Sequence, residues 1–250
     1  MKQGNGGGHG THGADAPPVP VLVKSDPGFA WPEDESLFYV VAKSGLYVCR
    51  NHEFFRSCVP AERGPGQLEK QEPFLAPRFP RIPRAIFEES VGFFSDIADR
   101  HGSEAAALLF WDRAEQCVRL HIPEQTATVS RYSDGYVSPI GVHYTPPADV
   151  SADWVPFGDI HCHVGYSAYA STTDKDDELH SAGLHIVVGR IHDEPPDLHV
   201  EAVVDGQRFG IDPRQVMEGY RTRRCPAPKA WIDRVRVEDH TYVSWRGSAS

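Results

Sequence analysis

At 250 residues the chain can form one large domain or two small ones, and 40% hydrophobic with 24% charged residues is ordinary globular composition. No apolar run approaches the roughly 20 residues of a membrane span, and residues 1–28 show no basic start followed by an apolar stretch, so a soluble, cytoplasmic protein is expected. A net charge of -10 opposes a nucleic-acid partner, and five cysteines without a C-x-x-C pair argue against a disulfide framework or a cysteine-only zinc site.

From Met1 to about Pro27 the chain is Gly-rich and then Pro-rich with no apolar period, which reads as a disordered arm over residues 1–28. His9 and His12 could bind metal loosely, but they read as part of a solvated tail. From Leu37, the segment LFYVVAKSGLYVCRNHEFFRSCVPA is rich in β-branched and aromatic residues, with turns at Lys43-Ser44-Gly45 and Arg50-Asn51-His52. A small antiparallel meander is predicted. Between Glu62 and Arg84, Pro65, Pro73, Pro77, Pro80 and Pro83 exclude helix interior and central strand alike. Residues 29–83 therefore read as a β-rich extension with a Pro-rich linker, and residues 84–250 as the main domain.

The main domain opens with RAIFEESVGFFSDIADRH, Arg84 to His101, whose apolar residues fall near helical spacing before the stop at Gly102. Ala105 to Trp111 and Cys117 to Ile122 flank the polar turn Asp112 to Gln116, predicting a hairpin. Tyr132 to Pro147, full of Gly, Pro and Tyr, reads as irregular. Trp154 to His163 and Leu184 to His192 read as strands, the second buried. Asp205-Gly206 is a hairpin turn between Leu198 to Val204 and Gln207 to Ile211. A short helix is expected from Pro213, and Val235, Val237, Tyr242 and Val243 suggest one more strand pair.

The chemistry concentrates in DIHCHVGYSAYASTTDKDDE, Asp159 to Glu178. Strand alternation puts His161 and His163 on one side, about 7 Å apart along the chain, with Cys162 pointing away. Further on, Ser171-Thr172-Thr173-Asp174 carries a hydroxyl residue and, three places later, an acid, the signature of a helix start. Two imidazoles and one carboxylate leave a tetrahedral zinc with an open fourth position for water, which is how catalytic zinc sites are built. Each part alone has a plain structural explanation, a chance His-x-His or a helix cap. Together they suggest a metal site.

The spacing His161-x-His163-x7-Ser171-x2-Asp174 matches, without a gap, the JAMM motif of the JAB/MPN metalloprotease family, and about half of the chain, Arg84 to Ile211, resembles the family pattern. That resemblance implies a three-layer α/β fold, a mixed curved β-sheet sandwiched by helices. It also implies one Zn2+ per chain held by His161, His163 and Asp174. The family's catalytic glutamate precedes the first core strand in a stretch of the form E-x-x-x-L-L, which Glu104 to Leu109 supplies. By that correspondence Glu104 takes a proton from the water and returns it to the leaving amine, and Ser171 hydrogen-bonds the oxyanion. Glu88, Glu89 and Glu178 compete for the glutamate's role, and helix capping competes for the Ser171 hydroxyl.

Cys162 and Val164 stand where the family commonly has Ser or Thr and Pro. Cys162 reads as packing on the opposite face, and His180 and His185 as structural. The insertion of ubiquitin-chain-cleaving members has no counterpart. The meander before the main domain also resembles bacterial JAB proteins of the PRTRC (ParB-related, ThiF-related cassette) system, protein A. That implies a ThiF/E1-like activating enzyme among its gene neighbours. The expected activity is metal-assisted hydrolysis of a peptide or isopeptide bond at the C-terminus of a ubiquitin-like protein. Rival readings are a non-catalytic MPN scaffold, usually marked by lost motif residues, and a small-molecule hydrolase acting on sulfur-carrier adducts. A zinc deaminase would need His-x-Glu and P-C-x-x-C, both absent.

Overall fold

The computed structural model describes residues 18–241 apart from 146, 149, 180 and 225. The expectations for His9, His12, His180, Cys225, Tyr242 and Val243 therefore lie outside the described residues. The chain divides into two compact units, the first ending at Pro73 and the second beginning at Phe74. The boundary falls inside the Pro-rich segment rather than after it, because the end of that segment belongs to the second unit. Ile82 is fully buried there and bridges to Met217.

In the first unit, β1 (Val21–Val23), β2 (Leu37–Ala42), β3 (Gly45–His52) and β4 (Phe55–Pro60) form a sheet in that order. The expected meander is β2-β3-β4, antiparallel throughout, but its second turn falls at Glu53-Phe54, because Arg50, Asn51 and His52 are still paired in β3. Within the stretch read as a disordered arm, β1 pairs in parallel with β2, and residues 1–17 of that reading lie outside the described residues. Three residues are too few to display a period of two, so only the pairing reveals the strand. Phe38, Val40 and Cys49 form the small core, with Trp31 edge-on to Phe38 and donating to Asn51 Oδ1 at 2.6 Å. Cys49 and Cys58 are opposite each other in register, their sulfurs 3.0 Å apart, and both are free thiols.

The second unit is mixed α/β with more strand than helix. Its elements are α1 (Arg84–His101), β5 (Ala106–Asp112), β6 (Cys117–His121), β7 (Gln125–Arg131), β8 (Val137–Tyr144), β9 (Trp154–Cys162) and α2 (Thr172–Glu178). There follow β10 (Gly183–Gly189), β11 (Asp197–Val204), β12 (Gln207–Gly210), α3 (Pro213–Val216), α4 (Lys229–Ile232) and β13 (Val235–Thr241). A six-stranded sheet runs β12-β11-β10-β9-β5-β6, antiparallel except at β9-β10. A second sheet runs β13-β7-β8.

One sequence expectation changes here. Tyr132 to Pro147 contains a strand, β8, despite Pro139 and Gly141. β8 lies at the sheet edge, where a proline's missing N–H breaks no ladder on the open side, and a register shift at Thr128/Val129 absorbs the irregularity. In the described part of the tail, β13 pairs in parallel with β7; the second strand expected at Tyr242 and Val243 lies outside the described residues. Among the described residues no helix is long and apolar enough to cross a membrane.

α1 is the one long helix among the described residues. Phe87, Val91, Phe94 and Ile97 are fully buried in the same core as Ile160 and Cys162 of β9. Gly102, left-handed at φ 66°, ends the helix with its N–H on Ala98 O. At Gly92 a Cβ would stand 1.6 Å from the Arg224 carbonyl oxygen, so the backbone after Tyr220 lies directly on the helix. Glu88 secures that contact: its carboxylate accepts from Arg221 N–H at 2.9 Å and from Arg224 Nε at 3.1 Å.

Burial opposes the charge on Glu88, but the Arg221 and Thr222 N–H groups and the Arg224 guanidinium outweigh it and hold the carboxyl below 4.5. A pKa lowered by folding stabilises the native state above the unfolded value and loses that contribution as pH falls through the folded one. Urea midpoints measured from about pH 7 down to about pH 3 are therefore expected to fall less steeply for Glu88→Gln than for the wild type.

Candidate metal centre

Alternation along β9 sends Ile160 and Cys162 into the core under α1, and Asp159, His161 and, just beyond the strand, His163 to the opposite face. Cys162 is fully buried, and burial pushes its thiol up to about 12, so it packs and neither ligates nor attacks. After β9 the chain turns sharply. Val164 sits at φ 49°, Tyr166 N–H donates to His163 O at 2.9 Å, and Ile191 N–H donates to Val164 O at 2.8 Å. A proline, fixed near about −65°, would not fit this turn.

The turn leads to Ser171, the N-cap of α2. Ser171 Oγ accepts from Asp174 N–H at 3.1 Å, and Ser171 N–H donates to Asp174 Oδ2 at 2.6 Å. This capping box fixes the aspartate side chain against the histidines. His161 Nε2 and His163 Nε2 are 3.3 Å apart, His161 Nε2 lies 3.5 Å from Asp174 Oδ1, and His163 Nε2 lies 3.4 Å from Asp174 Oδ2. Ligand bonds of about 2.0–2.1 Å put the edges of a zinc tetrahedron at roughly 3.3–3.4 Å. His161 Nε2 and His163 Nε2 thus already stand about one such edge apart, and each faces a different oxygen of Asp174 within 3.5 Å.

The site's electrostatics call for positive charge. Burial opposes protonation of His161, yet Asp159 and Asp174 overcome it and lift the imidazole to about 10. Burial likewise opposes ionisation of Asp174, and the two histidines press it far below the carboxylate range. These three residues could hold a divalent metal ion.

No protein-family model and no curated protein matches this chain.

Glu104 reaches the site by register. Ala106 of β5 pairs with His161, and Cys162 N–H donates to Ala105 O, so Glu104, two residues before Ala106, continues on the ligand face beside His163. It lines one cavity of about 240 Å³ with His161, His163, Ser171 and Asp174. Burial raises its carboxyl above the ordinary value, although His163 and His161 oppose this. That environment suits a group that must gain and lose a proton.

The competing glutamates are committed elsewhere. Glu88 is bound to the Arg221–Arg224 segment, and Glu89 faces Arg224 at 3.9 Å. Glu178 lines the cavity, but Arg208 holds its Oε2 at 2.5 Å and His185 lies 3.5 Å from its Oε1. Ser171 is a helix cap, yet the cap uses an acceptor lone pair, which leaves its O–H free to donate into the cavity.

Gln125, passed over in the sequence, braces this strand end. Its side-chain amide accepts from Ala106 N–H at 2.7 Å and donates to Ala106 O at 2.9 Å, standing in for a strand partner just past the end of β6. Gln125→Leu strands both buried groups and is expected to cost about 1–3 kcal/mol, read from urea midpoints.

Asp159 was also missed, although D-x-H-x-H alternation places it on the ligand face. His185 reads as structural in the sequence, yet it lies beside Asp159 across β9 and β10.

Proposed function

We propose that the chain is a zinc-dependent hydrolase of the JAB/MPN type, cleaving a peptide or isopeptide bond at the C-terminus of a ubiquitin-like protein. The observation that carries this reading is the 3.3 Å approach of His161 Nε2 and His163 Nε2, with the Asp174 carboxylate within 3.5 Å of both, in the same cavity as Glu104. Bound to that set, zinc would supply Lewis acidity and bring the pKa of a water to about 7.

The residues of the chain do the rest. His161 and His163 would hold the ion through ring nitrogens and Asp174 through its capped carboxylate. Glu104 takes a proton from the attacking water and passes it to the departing amine, and its desolvated surroundings bring its basicity nearer to that work. The Ser171 hydroxyl donates to the oxygen that gains charge on the attacked carbonyl. All residues of the motif are present, which disfavours a non-catalytic scaffold. A ThiF/E1-like enzyme encoded nearby fits the same reading as the supplier of the ubiquitin-like substrate.

The test is zinc content followed by cleavage of ubiquitin-like fusions. One zinc per chain and chelator-sensitive hydrolysis are expected. A purified protein that neither retains zinc nor binds it on titration would remove the proposal.

A further inference from the structure

Behind His161 lies a second group of charged side chains that the proposed chemistry does not use. Asp159 of β9 and His185 of β10 are register partners on adjacent parallel strands, so both project to the ligand face. Asp159 spans the two histidines. Its Oδ1 lies 3.7 Å from His161 Nδ1, on the side of the ring away from the metal ligands, and its Oδ2 lies 2.7 Å from His185 Nδ1. His185 Nε2 in turn lies 3.1 Å from Ser181 O.

The hydrogen-bonding capacities decide the protonation of His185. A backbone carbonyl only accepts, so Nε2 carries a hydrogen. An ionised carboxylate only accepts, so Nδ1 carries one as well. His185 is accordingly an imidazolium, 3% exposed, facing Asp159 and, at 3.5 Å, Glu178. Arg208 balances the far side of Glu178 and reaches Glu201 at 2.7 Å.

The donor atoms of Asp159, Glu178 and His185 are also close enough together to suggest a second metal site. Both nitrogens of His185 are already committed as donors, however, and Glu178 is tied to Arg208. The cation between these acids is the imidazolium itself.

We infer that His185 is a positioning residue for the metal centre: it anchors Asp159 so that the other carboxylate oxygen faces His161 Nδ1, fixing the ring that presents Nε2 to the metal. A ligating histidine held by an outer carboxylate has a fixed tautomer and orientation, and losing such a partner costs about 10–100-fold in metal affinity. His185 acts through Asp159, one residue further out, so its effect belongs at the lower end. The inference rests on the metal reading above.

The experiment is zinc titration of the full chain against a competing chelator, with far-UV circular dichroism as the folding control. His185→Phe, which fills the site without an N–H, is expected to weaken zinc binding about tenfold. His185→Gln, which keeps an amide donor toward Asp159, is expected to recover most of that loss. Equal affinity in His185→Phe and the wild type overturns the inference, and so does a loss that glutamine fails to recover, because packing alone then explains it. If His185→Phe does not fold, Asp159→Asn reads the same link. A loss of about 10–100-fold supports it and unchanged affinity overturns it. A wild type that binds no zinc removes the metal reading itself, a result distinct from a wild type that binds zinc and is indifferent to His185.

Discussion

Glu104→Gln is expected to lower turnover by about 10²–10⁴-fold, the usual contribution of a positioned acid or base, while zinc stays bound. Glutamine keeps the shape of the side chain and removes the group that exchanges a proton. The position allows this separation because Glu104 faces the ligand cavity without belonging to the donor set. Steady-state kinetics on a ubiquitin-like fusion, with zinc measured on the same samples, checks the prediction. Equal loss of zinc and activity would make Glu104 a ligand or a structural support instead of the base.

Asp174→Ala is expected to do more than either an outer-shell change or a lost cap, because the residue is both a proposed ligand and the N3 member of the capping box on Ser171. Zinc affinity should fall by more than the roughly 10–100-fold that outer-shell substitutions cost, and stability by about 1 kcal/mol from the cap. Asp174→Asn separates the two. Its amide oxygen still accepts from Ser171 N–H, so the wild-type urea midpoint should be nearly kept, while the uncharged donor binds zinc poorly. An Asn variant that loses stability as Ala does, yet keeps wild-type zinc affinity, would reverse these assignments.

The ligand face was legible because its signals are local. Period-two alternation separates His161 and His163 from Cys162, and Ser-x-x-Asp marks the start of α2 that carries Asp174. Their convergence needed the turn after His163 and the capping box, and both are seen only in three dimensions. α1 was legible from Arg84 to His101 because eighteen residues are enough to display a helical period.

Short or interrupted elements were not. β1 has three residues, and β8 hides behind Pro139 and Gly141, which an edge strand tolerates. The pairing of Asp159 with His185 depends on the register of two strands 26 residues apart, which neither segment encodes alone. The same holds for Gln125, whose bond to Ala106 replaces a missing strand. Glu104 lies between these cases: the family resemblance picked it out, and the β5-β9 register explains its place.

The arrangement of His161, His163 and Asp174 around one zinc is the central claim, and X-ray absorption at the zinc edge of the loaded full-length protein tests it most directly. Two imidazole nitrogens at about 2.0–2.1 Å with two oxygens at about 2.0–2.2 Å are expected, one oxygen from Asp174 and one from water. A sulfur shell at about 2.3 Å, or a shell of oxygens alone without imidazole, would contradict it.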